Sequence, residues 1–274
     1  MNQKFTLHTH TVGFDGQNTV PEMVARAREM GFDTIGISNH FIVNPKIKSA
    51  RMYKYALKFG YSDIYSSSFD EVMAKFVLHY AELDRVQSEN PDIKILRGME
   101  VDFFNDPKWL RGFERCVATL KPDYTIGSCH FIEYDNALLN SHDWKAADFA
   151  TQENLLKTYW TNIAYATNSG LFTWMAHLDL PKKVGLGCEE DWIPYEWRAL
   201  NAMWQSAIEI NTGFYKYGTN EPYPSFRILE MIKSLNIPVL ISDDAHAVNQ
   251  IGRNFADAQK LIDKYNLRQF HLSR

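Results

Sequence analysis

The segment "KFTLHTHTVGFDG" (residues 4–16) has the apolar–polar alternation of a short strand and then breaks into a loop containing Gly13 and Gly16. Its polar residues are unusual for a strand end, because His8 and His10 stand one residue apart and Asp15 follows in the loop. Side chains two apart on a strand point to the same side, so two imidazoles placed this way can grip one ion. Alone, such a pair is a weak signal. Its meaning depends on what the rest of the chain delivers to the same place.

Six more segments have the β-branched and aromatic composition of buried strands: "DTIGISNHF", "IKILRGMEVDF", "DYTIGSCHF", "LFTWMAHLDL", "SAIEINTGF" and "IPVLISDDAH". Helix-patterned segments separate most of them. "VPEMVARAREMG" carries Pro21 near its start and Gly31 just past its end, the expected asymmetry of helix termini. Ser68 and Glu71 form a candidate capping box, after which Val72, Phe76, Tyr80 and Leu83 recur at helical spacing. "SFRILEMIKSLN" and "NFADAQKLIDKYN" read as two later helices. Alternating strands and helices imply an α/β fold of parallel strands joined by right-handed crossovers. No glycine-rich phosphate loop follows the first strand, which favours a barrel over a dinucleotide-binding sheet. Residues 42–67, rich in Lys, Tyr and Ser, are expected to be an irregular loop insertion over the barrel mouth. With no internal repeat or low-complexity linker, residues 1–274 read as a single domain.

Composition narrows the partners. Charged residues make up 23% and hydrophobic residues 45%, which excludes a disordered chain. A net charge of −4 without a run of like charges disfavours a long nucleic acid. No apolar run approaches the roughly 18 residues that a membrane span needs. The N-terminus lacks an apolar signal region, and Cys116, Cys129 and Cys188 show no CxxC spacing. These features predict a cytoplasmic protein with reduced thiols. Nothing in the sequence specifies an oligomeric state.

Of the nine histidines, six fall at C-terminal ends of predicted strands: His8, His10, His40, His130, His177 and His246. Glu100 ends the third strand, and Asp244 accompanies His246. In a parallel barrel every strand C-terminus lies on one face, so these side chains are expected to converge there. Imidazole nitrogen and carboxylate oxygen together suit Zn²⁺, Mn²⁺ or Fe better than Ca²⁺. The donors are too many for one tetrahedral ion, so a cluster of two or three divalent ions bridged by a carboxylate is the economical reading. His79 reads as packed or half exposed within its helix, His142 and His271 as surface residues, and Cys129 as a small buried hydrophobe.

The ordered set "LHTHT", "ISNHF", "GMEVDF", "GSCHF", "AHLDL" and "SDDAH" resembles the PHP (polymerase and histidinol phosphatase) superfamily over nearly the whole chain. "GMEVDF", "GSCHF", "AHLDL" and "EINTG" resemble its histidinol-phosphate phosphatase branch most. The resemblance implies a distorted TIM-like (β/α)7 barrel with a trinuclear metal site. It further implies a first metal on His8, His10, Glu100 and Asp244, and a second on Glu100, His130 and His177. A third would be held by His40, His246 and a ligand from the loop after the first strand. Many relatives have a histidine where this chain has Gly16; Asp15 is the available substitute. Where relatives often carry an acid before the second-strand histidine, this chain has Asn39. The phosphate-binding arginines of the branch are replaced by candidates Lys182, Lys183 and Lys216.

The implied chemistry is hydrolysis of a small phosphate monoester by metal-activated hydroxide, with L-histidinol phosphate, an intermediate of histidine biosynthesis, as the leading substrate. Lys216 or Lys183 would grip the phosphate, and Asp244 or His246 would act as general acid. Asp102, Asp179 and Asn211 share a strand face with the candidate ligands and are positioned to orient imidazoles. Two alternatives compete. One is a phosphoesterase acting on nucleotides, short oligonucleotides or phosphotyrosine; the other is a non-catalytic metal-binding protein.

Overall fold

Buried apolar runs set the strands, and two of the expected runs are each broken in the middle. In the computed structural model, which describes residues 3–203, 205–217 and 220–271 (216 and 217 by backbone alone), "DTIGISNHF" forms β2 (Thr34–Ile37) and β3 (His40–Val43). "IKILRGMEVDF" likewise gives β5 (Lys94–Arg97) and β6 (Glu100–Asp102). The other strands are β1 (Phe5–Thr6), β4 (Tyr65–Ser66), β7 (Ile126–Ser128), β8 (Phe131–Tyr134), β9 (Ala137–Asn140), β10 (Trp174–Met175), β11 (Ala207–Asn211) and β12 (Val239–Ser242). Helices are α1 (Val20–Glu29), α2 (Arg51–Phe59), α3 (Phe69–Glu89), α4 (Pro107–Leu120), α5 (Ser141–Lys145), α6 (Phe149–Asn168), α7 (Ile193–Asn201), α8 (Phe226–Ser234) and α9 (Phe255–Tyr265).

The named strands pair in parallel except for the β8–β9 hairpin, and an isolated antiparallel bridge joins Asn211 to Tyr223. One sheet runs β1-β2-β5 and a second runs β12-β11-β10-β7-β6-β3-β4. An isolated parallel bridge between Thr9 and Ala245 joins the continuations of β1 and β12. The amide of His10 donates to the Ala245 carbonyl at 2.8 Å, and the Ala245 amide donates to the His8 carbonyl at 3.1 Å. First and last strand segments therefore lie side by side, which brings His8 and His10 next to Asp244 and His246.

Two apolar cores flank the strands. The larger packs the helices against the outer faces of the strands. The smaller gathers Leu7, Leu96, Ile126, Trp174, Ala207 and Leu240 from successive strand segments around Tyr124. Tyr124 stacks on Trp174 at 4.8 Å and donates to the Leu7 carbonyl at 2.6 Å. Its side chain explains two glycines, because a Cβ at Gly36 would lie 2.1 Å from the hydroxyl and one at Gly98 2.2 Å from the ring.

Several local expectations need correction. Residues 42–67 are not irregular: they contain α2 and β4, and β4 pairs with β3. Ser68 caps α3 by accepting from the Glu71 amide, but Glu71 answers to Ser67 rather than Ser68, so the capping box is only half made. Complete boxes are made by Thr19 and Glu22 at the start of α1 and by Asn140 and Asp143 at the start of α5. The β8–β9 hairpin was not anticipated; Asp135 and Asn136 make its turn with positive φ values of 47° and 63°. Among the described residues, no helix is long and apolar enough to cross a membrane.

Candidate metal centre

Strand ends deliver the donors. Glu100, at the start of β6, is 1% exposed and stands in the middle of them. Its Oε2 lies 3.3 Å from His8 Nε2, 3.5 Å from His10 Nε2 and 2.9 Å from His40 Nδ1. Its Oε1 lies 2.9 Å from His177 Nε2 and 3.5 Å from His130 Nε2. Asp244 Oδ1 faces His10 Nε2 at 3.3 Å and His8 Nε2 at 3.6 Å. Asp15 Oδ2 lies 3.1 Å from His40 Nε2 and 3.2 Å from His246 Nε2, and Asp15 Oδ1 is 3.6 Å from His10 Nδ1. All nine candidate ligands are thus brought together.

The loop geometry accounts for Asp15 in place of Gly16. The chain turns so tightly after His10 that a Cβ at residue 16 would sit 2.5 Å from the His10 carbonyl carbon. A side chain therefore has no room at Gly16, and the preceding carboxylate reaches inward instead. Asn39 does not touch the donors. It accepts from the Thr11 amide and donates to Thr11 Oγ1, both at 2.9 Å.

The donor set fits divalent ions. His8 Nε2, both nitrogens of His10, His40 Nδ1, Asp15 Oδ1 and Glu100 Oε2 are buried without a hydrogen-bond partner, although such atoms are normally satisfied. Three groupings place their donor atoms within 4.8 Å of one another: His10–Asp15–His40–His246, His8–His10–Glu100 and His40–Glu100–His130. Burial would raise the Glu100 carboxyl, but His40, His8 and His130 hold it well below the usual range. Asp244 is held low in the same way by His8 and His10. Burial, aided by His246 and His40, pushes His10 down to about 4, so the neutral ring offers the lone pair of one nitrogen for coordination.

Supporting groups were only partly foreseen. Glu209, buried within β11, escaped the sequence reading. Its Oε2 accepts from His8 Nδ1 at 2.8 Å and its Oε1 from the His177 amide at 3.1 Å. Trp174 Nε1 and Asn211 Nδ2 also donate to it, at 3.3 and 2.7 Å. The signal was a glutamate inside the apolar run "SAIEINTGF". Asp102 accepts from the His130 amide at 2.6 Å, and Asn211 also reaches Asp244 Oδ2 at 3.4 Å. Asp179 is turned away from the imidazoles, to the Ser225 amide at 2.9 Å and Lys182 Nζ at 3.2 Å.

The three lysines separate. Lys182 is buried over the rings of Phe214 and Tyr223 and tied to Asp179 and Glu221, so it does not face the donors. Lys183 lines the cleft that opens onto His130, His177 and Asp244. The Lys216 side chain lies outside the described residues. A side cleft continues from His40 and Lys183 past Tyr65, Met52 and Phe131. His142, expected at the surface, is exposed but borders that cleft. Cys129 is buried as expected.

A family model described as the PHP domain matches residues 5–215. The chain belongs to the PHP family. It is 30% identical over 192 residues to the probable histidinol-phosphatase of Deinococcus radiodurans, covering 67% of this chain and 70% of that protein. The probable histidinol-phosphatase of Schizosaccharomyces pombe is 24% identical over 273 residues, 94% of this chain and 85% of that one. Among solved structures, histidinol phosphate phosphatase from Lactococcus lactis, complexed with Zn, L-histidinol and phosphate, superposes with a TM-score of 0.69 at 18% identity. That match covers 98% of this chain and 95% of that one, and at this identity it concerns the fold.

Proposed function

We propose that this PHP protein is a metal-dependent phosphomonoesterase that hydrolyses L-histidinol phosphate to L-histidinol and phosphate. The observation that carries the reading is Glu100, whose two oxygens face five imidazoles from four strand segments, with orphaned buried donors around it. The histidinol-phosphatase names of its relatives support the choice of substrate.

His8, His10, Glu100 and Asp244 would hold one ion, Glu100, His130 and His177 a second, and Asp15, His40 and His246 a third; zinc, manganese and iron all suit these donors. Such ions neutralise phosphate oxygens and acidify a water toward neutral pH. Glu209 fixes the proton of His8 on Nδ1 and so turns its Nε2 lone pair inward. Lys183 attracts the phosphate as a point charge at the cleft wall, and Lys216 is a second candidate for that role. Between Asp244 and His246, the imidazole is committed: Nδ1 lies 3.0 Å from the Asp244 carbonyl and Nε2 faces Asp15. Asp244 Oδ2 is thus the group to take a proton from the attacking water and return it to the departing alkoxide.

The Thr9–Ala245 bridge and the inner core around Tyr124 support closure of the seven strand segments as a distorted (β/α)7 barrel in a single domain. We take the protein to act in the cytoplasm on a small phosphorylated substrate. Phosphate release from histidinol phosphate, mononucleotides, a single-stranded oligonucleotide and a phosphotyrosine peptide, measured beside metal content, tests the reading. Turnover of histidinol phosphate no faster than the others would overturn the substrate, and no turnover with metals bound would overturn the enzyme.

A further inference from the structure

His79 lies on α3, 6% exposed, and its ring meets Phe14 and Phe76 edge-on. No donor to the metal cluster lies on α3. Yet His79 Nε2 is 3.2 Å from Asn39 Nδ2. The direction of that hydrogen bond is fixed by a neighbour. The Thr11 amide can only donate, so the oxygen of Asn39 must face it and the amide nitrogen must face the other way. That nitrogen donates to Thr11 Oγ1, and its second hydrogen points at His79. His79 Nε2 is therefore the acceptor, with the ring proton on Nδ1.

Thr11 in turn holds the loop that carries Asp15. Its carbonyl accepts from the amides of Phe14 at 3.2 Å and Gly16 at 3.1 Å, on either side of Asp15. Phe14, inside the same turn, packs on His79 itself. The loop is thus gripped twice from α3: through a hydrogen-bonded amide and through an aromatic contact.

We infer that His79 is a positioning residue for the ion assigned to Asp15, His40 and His246, acting through Asn39 and Thr11 on the Asp15 loop. The inference rests on the three-ion reading of the site and adds to it the residue that sets the loop ligand in place. A residue that only filled space would be replaced without effect by a ring of similar size. A residue that must accept a hydrogen bond would be replaced by glutamine, whose Oε1 can do so.

The test is zinc content per chain in protein reconstituted with Zn²⁺ and dialysed against graded chelator, for wild type, His79→Phe and His79→Gln. The expected result is three ions in the wild type and about tenfold weaker retention of one ion alone in His79→Phe, the scale typical of lost outer-shell partners. His79→Gln should retain that ion. Equal retention in wild type and His79→Phe overturns the role, as does equal weakening of all ions or the same loss in His79→Gln. If His79→Phe does not fold, Thr11→Val decides, because it removes only the hydroxyl acceptor of the same amide; an unchanged chelator midpoint there overturns the inference. Fewer than three ions in the wild type overturns both the three-ion reading and the role built on it, whereas failure in the variants alone strikes only His79.

Discussion

His10 and Glu209 contribute at different distances from the proposed ions. His10 is fully buried with both nitrogens unpaired, and its donors face Glu100, Asp244 and Asp15 at once. His10→Ala should lower metal content and cut histidinol phosphate turnover by at least about 100-fold, measured by elemental analysis and phosphate release. Glu209 touches no candidate ion, but four donors converge on its carboxylate: His8 Nδ1, the His177 amide, Trp174 Nε1 and Asn211 Nδ2. A glutamine there brings an NH₂ group that must face at least one of those donors. Glu209→Gln should therefore weaken zinc binding by about 10–100-fold, as chelator competition would show, with little change in overall fold. Lys183 is the cleft residue to test for phosphate binding: Lys183→Ala should raise KM severalfold and leave kcat nearly unchanged, because a lost ground-state contact acts on binding.

At the scale of elements, strand ends were legible and helix surroundings were not. Every candidate ligand except the loop residue Asp15 stood near the end of a strand segment, where polar residues interrupt an apolar run, and all nine meet in space. Glu209 was overlooked because it sits inside a run rather than at its end. Whether Lys182 or Lys183 turns inward is decided by Asp179, three residues before Lys182, and by Glu221 from a distant segment. α2 was hidden because its periodicity points outward: Ala56 is its buried residue, while Tyr55, Leu57 and Phe59 are exposed. The helix α3 was readable from its apolar stripe, but not the role of the histidine on that stripe. Burial pushes His79 down to about 4, whereas an unfolded histidine titrates near 6.5. Between those values the unfolded chain binds a proton that the native one does not, so stability falls as pH drops from about 6.5 toward 4. His79→Gln removes this contribution. In urea unfolding of the metal-free proteins, wild type should lose about 2–3 kcal/mol more than the variant between pH 7 and pH 4.5. Equal losses would mean that His79 is protonated in the native state.

At the scale of the whole molecule, the site belongs to no single element. Its donors come from the loop after β1, from β3 and β6, and from the segments following β7, β10 and β12, so neither sheet assembles it alone. The Thr9–Ala245 bridge makes the first and last of these neighbours, and the orphaned donors lie where the strand ends meet. Ions seated there bind the native chain and not the unfolded one, whose donors are scattered, so binding free energy adds to folding free energy. One ion at 100 times its dissociation constant contributes about 2.7 kcal/mol, which in a domain of this size raises Tm by about 5 °C. Chelation followed by dialysis should lower the melting temperature by at least that much, and Zn²⁺ should restore it in the wild type but only in part in His10→Ala. A thermal melt unchanged by chelator, in protein confirmed to have lost its metal, would show that these donors do not couple ion binding to the fold.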